Sequence, residues 1–226
     1  VDWLCTLQNF PLLVTLAPEV TQPGQINKLC DSGVIVCAGH TEANAADIEA
    51  ALLEGLRGFT HLYNAMRPAT AREPGVVGIA LVDKTSWCGL IVDGHHVHKD
   101  MVRLACMAKP VGKICLVTDA MATVGSSDAS FELYGNTIQE QGGRLINHEG
   151  RLAGSAISMI DAVRNCHLDV GISLEESLRM ASVYPAEFLG IDKKLGHLKQ
   201  GYQADIVHFD GGFNVTQTWV AGQATL

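Results

Sequence analysis

Ala38-Gly39-His40-Thr41 and, after a helix-like run, Gly58-Phe59-Thr60-His61-Leu62-Tyr63-Asn64-Ala65-Met66 set two histidines on either side of one helix-length segment. Each histidine closes a short apolar run, Val34 to Cys37 before His40 and Gly58 to Thr60 before His61. Each therefore stands at the C-terminal end of a buried strand. Between them Asn44 can cap a helix in which Ile48, Leu52 and Leu56 recur every four residues, with Asp47, Glu49 and Glu54 on the other face. A crossover of this length makes the two strands parallel neighbours. Both imidazoles then arrive at one end of one sheet, where two neutral histidines can share a metal ion.

Upstream, Leu12 to Leu16 is a strand ending at Ala17-Pro18-Glu19, and Gln25 to Leu29 a short helix. Arg67 to Gly75, with two prolines, reads as an irregular loop. Cys88 to Val92 is a fourth strand ending in Asp93-Gly94-His95-His96. Met101, Val102, Ala105 and Cys106 mark a helix face, and Lys113 to Val117 is a fifth strand ending at Thr118-Asp119. This alternation is the βα pattern of an α/β protein with a parallel sheet. The polar groups all fall at one end, where a (β/α)8 TIM-type barrel carries its active site and an open doubly wound sheet its ligand. A full barrel takes about 250 residues. With five repeats legible, the expected barrel is incomplete.

Beyond Asp119 the pattern changes to hairpins, Phe131 to Ile138 and Arg144 to Ile146, with glycine turns at Gly142-Gly143 and Glu149-Gly150. Helices resume at Ala156 to Leu168, with Ser155 as cap, and at Leu174 to Ser182. Residues 196 to 221 are strand and turn. The expected organisation is a partial barrel over 1–192 with a hairpin insertion near 131–150, then part of a small β domain over 193–226.

The chain has 226 residues, 47% of them hydrophobic, so it can bury a substantial core. A net charge of -8 without any Lys/Arg run argues against nucleic-acid or anionic-membrane partners. The seven cysteines lack C-x-x-C spacing and read as small core residues of a reducing compartment, not as a disulfide framework or thiolate zinc site.

Asp119 is a candidate general base, able to take a proton from a metal-activated water and return it to a leaving group. Read alone, it is as readily a turn carboxylate. Arg72, the Asn64-Ala65 peptide and the His95, His96, His98 cluster could together hold a phosphate through charge and backbone N–H donors.

Several strings together carry a more specific signal: Val14-Thr-Leu-Ala-Pro-Glu19, Ala38-Gly-His40, Thr60-His61-Leu-Tyr-Asn64-Ala65-Met66, Arg72-Glu-Pro-Gly75, Asp93-Gly-His95-His96, Leu116-Val-Thr-Asp119-Ala and Leu152-Ala-Gly154-Ser. In this order they resemble the N-acetylglucosamine-6-phosphate deacetylase family of the amidohydrolase superfamily. The resemblance implies hydrolysis of N-acetyl-D-glucosamine 6-phosphate to D-glucosamine 6-phosphate and acetate, in cytoplasmic amino-sugar catabolism. It implies that His40 and His61 ligate a divalent metal, zinc foremost, with Fe, Mn and Co accepted by the same ligands. It makes Asp119 the catalytic acid/base and Asn64, Ala65, Arg72, Asp93 and His96 substrate-binding. Leu152, Ala153 and Gly154 would line the sugar pocket. A homo-oligomer, dimer or tetramer, is implied, with Arg72 reaching across an interface. The five strands become the fourth to eighth of the barrel, and residues 195 to 207 the return into a small β-sandwich. The family's third metal ligand, a Glu in a His-Leu-Glu-Gly-Pro string, is absent from this sequence, and Glu19 is no match for it. The expectation is a C-terminal portion, inactive alone. Two other readings stay open: a non-catalytic phosphosugar-binding module, and an amidohydrolase acting on a different amide.

Overall fold

The computed structural model describes residues 1–7 and 10–225. Helix α1 (Asp2–Cys5) leads into β1 (Leu13–Leu16), α2 (Gln25–Asp31), β2 (Ile35–Ala38), α3 (Ala45–Leu53) and β3 (Gly58–Phe59). Then come α4 (Gly75–Val82), β4 (Trp87–Leu90), α5 (Lys99–Ala108) and β5 (Ile114–Leu116). The five strands pair in sequence order, all parallel. This is the α/β architecture with a parallel sheet that the periodicity predicts.

The register sorts side chains to two faces, because paired residues in a parallel ladder point the same way. Val36, Ala38, Phe59 and Leu90 pack with Ile26, Leu29, Ile48, Val76, Val102 and Ala105 of the helices in one buried cluster. On the other face Cys37 aligns with Gly58 and Gly58 with Trp87. A methyl on Gly58 would come within 2.6 Å of Phe188 Cζ and 2.8 Å of Cys37 Sγ, so only glycine lets that aromatic ring close on the strand. Phe188 also stacks on Trp87, ring centroids 5.2 Å apart.

α3 begins where expected. Asn44 accepts the Asp47 N–H (3.0 Å) while the Asp47 carboxylate accepts the Asn44 N–H (2.9 Å), a reciprocal capping box. The loop expected over 67–75 ends in a helix the sequence concealed. α4 is apolar on every side, so it carries no 3.6-residue polarity signal, and Gly75 enters it at φ 57°.

After β5 an antiparallel sheet forms from β6 (Ser130–Leu133), β7 (Asn136–Gln141), β8 (Arg144–Ile146) and β9 (Leu152–Ser155). The expected helix from Ala156 with Ser155 as cap is corrected here. Ser155 completes β9, its hydroxyl donating to Thr118 O (2.5 Å), and α6 (Met159–Asn165) is opened by a capping box of Ser158 and Asp161. A π-turn over Cys166–Val170 follows. The helix expected to end at Ser182 ends at Ala181 (α7, Leu174–Ala181), and α8 (Val183–Leu189) starts afresh after Ser182 at φ -135°, ψ -66°. Of the final strand-and-turn segment, β10 (Ile206–Phe209), β11 (Val215–Val220) and β12 (Gln223–Ala224) form a separate antiparallel sheet. The seven cysteines are free thiols, four of them buried. Among the described residues no helix is long and apolar enough to cross a membrane.

Candidate active site

Because the five strands run in one direction, the residues that follow them collect along one edge: Glu19 after β1, His40 after β2, His61 after β3, Asp93 after β4 and Asp119 after β5. The backbone turns abruptly at this edge. His40 (φ 50°), His61 (33°), Tyr63 (80°), Ala65 (48°) and Asp119 (52°) all occupy the left-handed region. They are five of the eight non-glycine residues that do so among the described residues. Such conformations cost on the order of 1 kcal/mol each and persist where surrounding bonds over-determine them. These turns limit β3 to two residues, Gly58–Phe59.

The bonds that hold the turns are on hand. Thr41 N–H donates to Ala65 O (3.0 Å), Arg67 N–H to Thr41 O (3.1 Å), and Leu62 N–H to Gly89 O (2.8 Å). The Asn64 amide donates to His61 O (3.3 Å) and Leu62 O (3.4 Å), and Tyr63 OH to Met101 O (3.0 Å). β9 is stitched to the turn after β5: Ser155 N–H donates to Asp119 O (2.8 Å) and Met121 N–H to Ser155 O (3.1 Å). Gly154, at φ 78°, lies so close that a methyl there would stand 3.0 Å from Asp119 O and 2.4 Å from Met121 Cγ. Gly154 and Ser155 therefore lie against the backbone of Asp119.

His40 and His61 meet through their Nε2 atoms, 2.9 Å apart, with the rings edge-on. Two nitrogens this close can both reach one ion at the usual N–metal distance of about 2.0–2.1 Å. His61 is buried, and desolvation pushes its imidazole below the ordinary value toward the neutral form a metal requires. Its Nδ1 has no hydrogen-bond partner, although ligating histidines ordinarily place that N–H on one. The donor chemistry suits a divalent ion, yet among the described residues no group of three His, Cys, Asp or Glu forms a full ligand set. His61 and Asp119 line a cavity of about 300 Å³ that passes Cys37 and Cys115 to reach Phe188.

After β4 a second cluster forms. The side chain of Asp93, 1% exposed, accepts the N–H groups of His95 and His96 (2.8 Å each) on one oxygen and meets His96 Nδ1 (2.6 Å) with the other. This fixes the His96 ring and its tautomer, leaving Nε2 for a ligand. Burial opposes the Asp93 charge, but the His96 ring and the backbone donors win and lower its pKa from 3.8 to about 2. The stabilisation is complete above pH 4 and disappears as pH falls toward 2, an expected loss of about 2 kcal/mol. Denaturant unfolding from pH 5 to pH 2 checks this, and Asp93→Asn should flatten that part of the profile.

Arg72 is not drawn into either cluster. It is exposed in the loop before α4 and makes no ion pair or hydrogen bond among the described residues. Thr41 at this edge escapes the sequence reading, and Glu19 is weighed there only as a metal ligand. In His40-Thr41-Glu42-Ala43-Asn44, Thr41 reads only as a lead-in to a helix.

A parallel sheet that gathers two histidines and a carboxylate at its C-terminal edge collects polar groups where α/β sheets carry their sites. The chain belongs to the amidohydrolase family, whose model matches residues 20–225. Within it, the chain is similar to the amino-sugar phosphate deacetylases. It is 40% identical over 224 residues to N-acetylgalactosamine-6-phosphate deacetylase of Shewanella sp. (strain ANA-3), covering 98% of this chain and 57% of that protein. It is 36% identical over 225 residues to N-acetylglucosamine-6-phosphate deacetylase of Vibrio furnissii, covering 98% and 56%. The crystal structure of N-acetylglucosamine-6-phosphate deacetylase from Pasteurella multocida superposes with a TM-score of 0.94 at 38% identity, covering 99% of this chain and 59% of that one. The chain therefore spans somewhat over half the length of these relatives.

Proposed function

We propose that the protein hydrolyses the N-acetyl group of an N-acetylhexosamine 6-phosphate, N-acetyl-D-glucosamine 6-phosphate first among them, releasing acetate and the free amino sugar phosphate in the cytoplasm. The observation that carries this reading is the convergence of His40 and His61 at 2.9 Å beside a cavity that Asp119 shares. The relatives' names point to the same class of substrate. Relatives named for the galacto epimer match at 40% and 42% identity, which makes the galacto substrate a second reading.

In the proposed reaction His40 and His61 hold a divalent ion, zinc, Fe, Mn or Co, and the ion when bound supplies polarisation of the amide carbonyl and acidification of water. Asp119 takes a proton from the attacking water as the C–O bond forms. It hands that proton to the nitrogen as the C–N bond breaks. At the far end of the sugar, His96, oriented by Asp93, and the Asn64-Ala65 peptide receive the phosphate, with Arg72 as a further cation from the loop or from a second copy in a homo-oligomer. Leu152 to Gly154 form the wall against the ring. The parallel sheet is proposed as part of a (β/α)8 barrel over 1–192, and β10 to β12 as part of a β-sandwich domain over 193–226.

The test is acetate release from the two epimeric N-acetylhexosamine 6-phosphates in the presence of Zn²⁺. With the Glu ligand that the family resemblance calls for supplied on a preceding segment, release from one or both, lost on chelation, is expected. Binding of the sugar phosphate that ignores chelator, with no acetate formed, would replace the hydrolase with a binding module.

A further inference from the structure

The turn that presents His40 is held by groups to which the reaction above gives no role. Thr41, 2% exposed, is the hub. Its backbone bonds both to Ala65 and to Arg67 of the loop after His61, and its hydroxyl accepts the Ala43 N–H (3.1 Å). The same hydroxyl donates to Glu19 Oε2 at 2.5 Å, while Glu19 Oε1 accepts the Glu42 N–H at 2.8 Å. Glu19 belongs to a short 3-10 turn, Pro18–Val20, that closes β1, the strand paired with β2. One carboxylate from the neighbouring strand therefore grips the two residues that follow His40, and Thr41 carries the grip on to the His61 loop.

His40 needs this support. At φ 50° its backbone is in a conformation a histidine leaves when free to do so, and any relaxation carries Nε2 away from its partner on His61. Charge-assisted hydrogen bonds to a carboxylate are well suited to hold a turn against that tendency.

We propose that Glu19 and Thr41 are a positioning pair that fixes His40 beside His61 and thereby sets the affinity for the divalent ion. The inference rests on the reading of those histidines as ligands. Neither residue touches the ion or the substrate; each acts through the backbone of the turn.

The experiment measures Zn²⁺ affinity by competition with a chromophoric chelator, together with the visible absorption of the Co²⁺ form, for Glu19→Ala, Thr41→Val, Thr41→Ser and Glu42→Ala. Glu19→Ala and Thr41→Val are expected to weaken metal binding about tenfold or more, in the range typical of lost outer-shell partners, and to shift the Co²⁺ bands. Excess metal should restore most of kcat. Thr41→Ser keeps the hydroxyl and Glu42→Ala keeps the N–H, so both should bind like the parent. If Glu19→Ala does not fold, Thr41→Val carries the test. Parent-like affinity in Thr41→Val or in a folded Glu19→Ala would overturn the proposal, as would an equal loss in Thr41→Ser. A parent whose metal binding is indifferent to His40→Ala and His61→Ala would remove the ligand reading itself, and the proposal with it.

Discussion

Replacement of Asp119 by asparagine is expected to lower kcat by about 10²–10⁴-fold, the range a positioned acid/base supplies, while substrate affinity stays within a few-fold. The substitution isolates the chemistry unusually well. Asparagine matches the carboxylate in shape and is among the residues that best tolerate a positive φ, so the turn at 52° has no reason to move. The hydrogen bond from Ser155 reaches the backbone carbonyl of residue 119, which survives the change. What is lost is the ability to accept the proton of water and pass it on. Acetate release under saturating substrate measures the first quantity and calorimetric titration of substrate the second. Turnover near that of the parent would sink the assignment of Asp119.

His61→Ala is expected to remove metal retention and, with it, hydrolysis. Structural metal sites release on the order of 10–16 kcal/mol through about four ligands, so one imidazole is worth roughly 10²-fold or more in affinity. The fold should suffer far less than the burial of His61 suggests. Its Nδ1 has no partner, so its removal strands no other group, and the contact at Nε2 is to an exposed His40. Metal content after dialysis should fall to background while the thermal midpoint moves by only a few degrees. A large collapse in stability with metal still bound would mean that His61 is a core residue and not a ligand. This contrast separates function from packing more sharply than activity alone.

The sheet was legible because its strands announce themselves. Each is a short apolar run, each stops at a polar residue, and the spacing between His40 and His61 admits only a helical crossover. That was enough to bring both histidines and Asp119 to one edge without any distance being known. Other features depend on partners remote in sequence. Ser155 is as good a helix cap as Ser158 when read locally, and only the carbonyl of Thr118 draws it into a strand instead. α4 was invisible since a helix apolar on every side has no polar stripe to mark its period. The grip of Glu19 on Thr41 spans 22 residues and two strands, and nothing local to either residue signals it. The left-handed turns were equally hidden, because histidine and aspartate, though enriched in such backbone, adopt it in only a small minority of places, and alanine in fewer still.

Those turns bear on how the protein can change. At His40, His61, Tyr63, Ala65 and Asp119 glycine alone would sit without steric protest, so selection for thermal resistance by itself favours glycine at positions that include those the proposed reaction uses, His40, His61 and Asp119. Random libraries screened for heat tolerance should therefore drift toward sturdier and catalytically silent variants. Only a screen that also demands turnover will keep side chains on this edge. The same reasoning gives a way to find such sites in other parallel sheets, by looking for non-glycine residues at strand ends that persist where glycine would be easier.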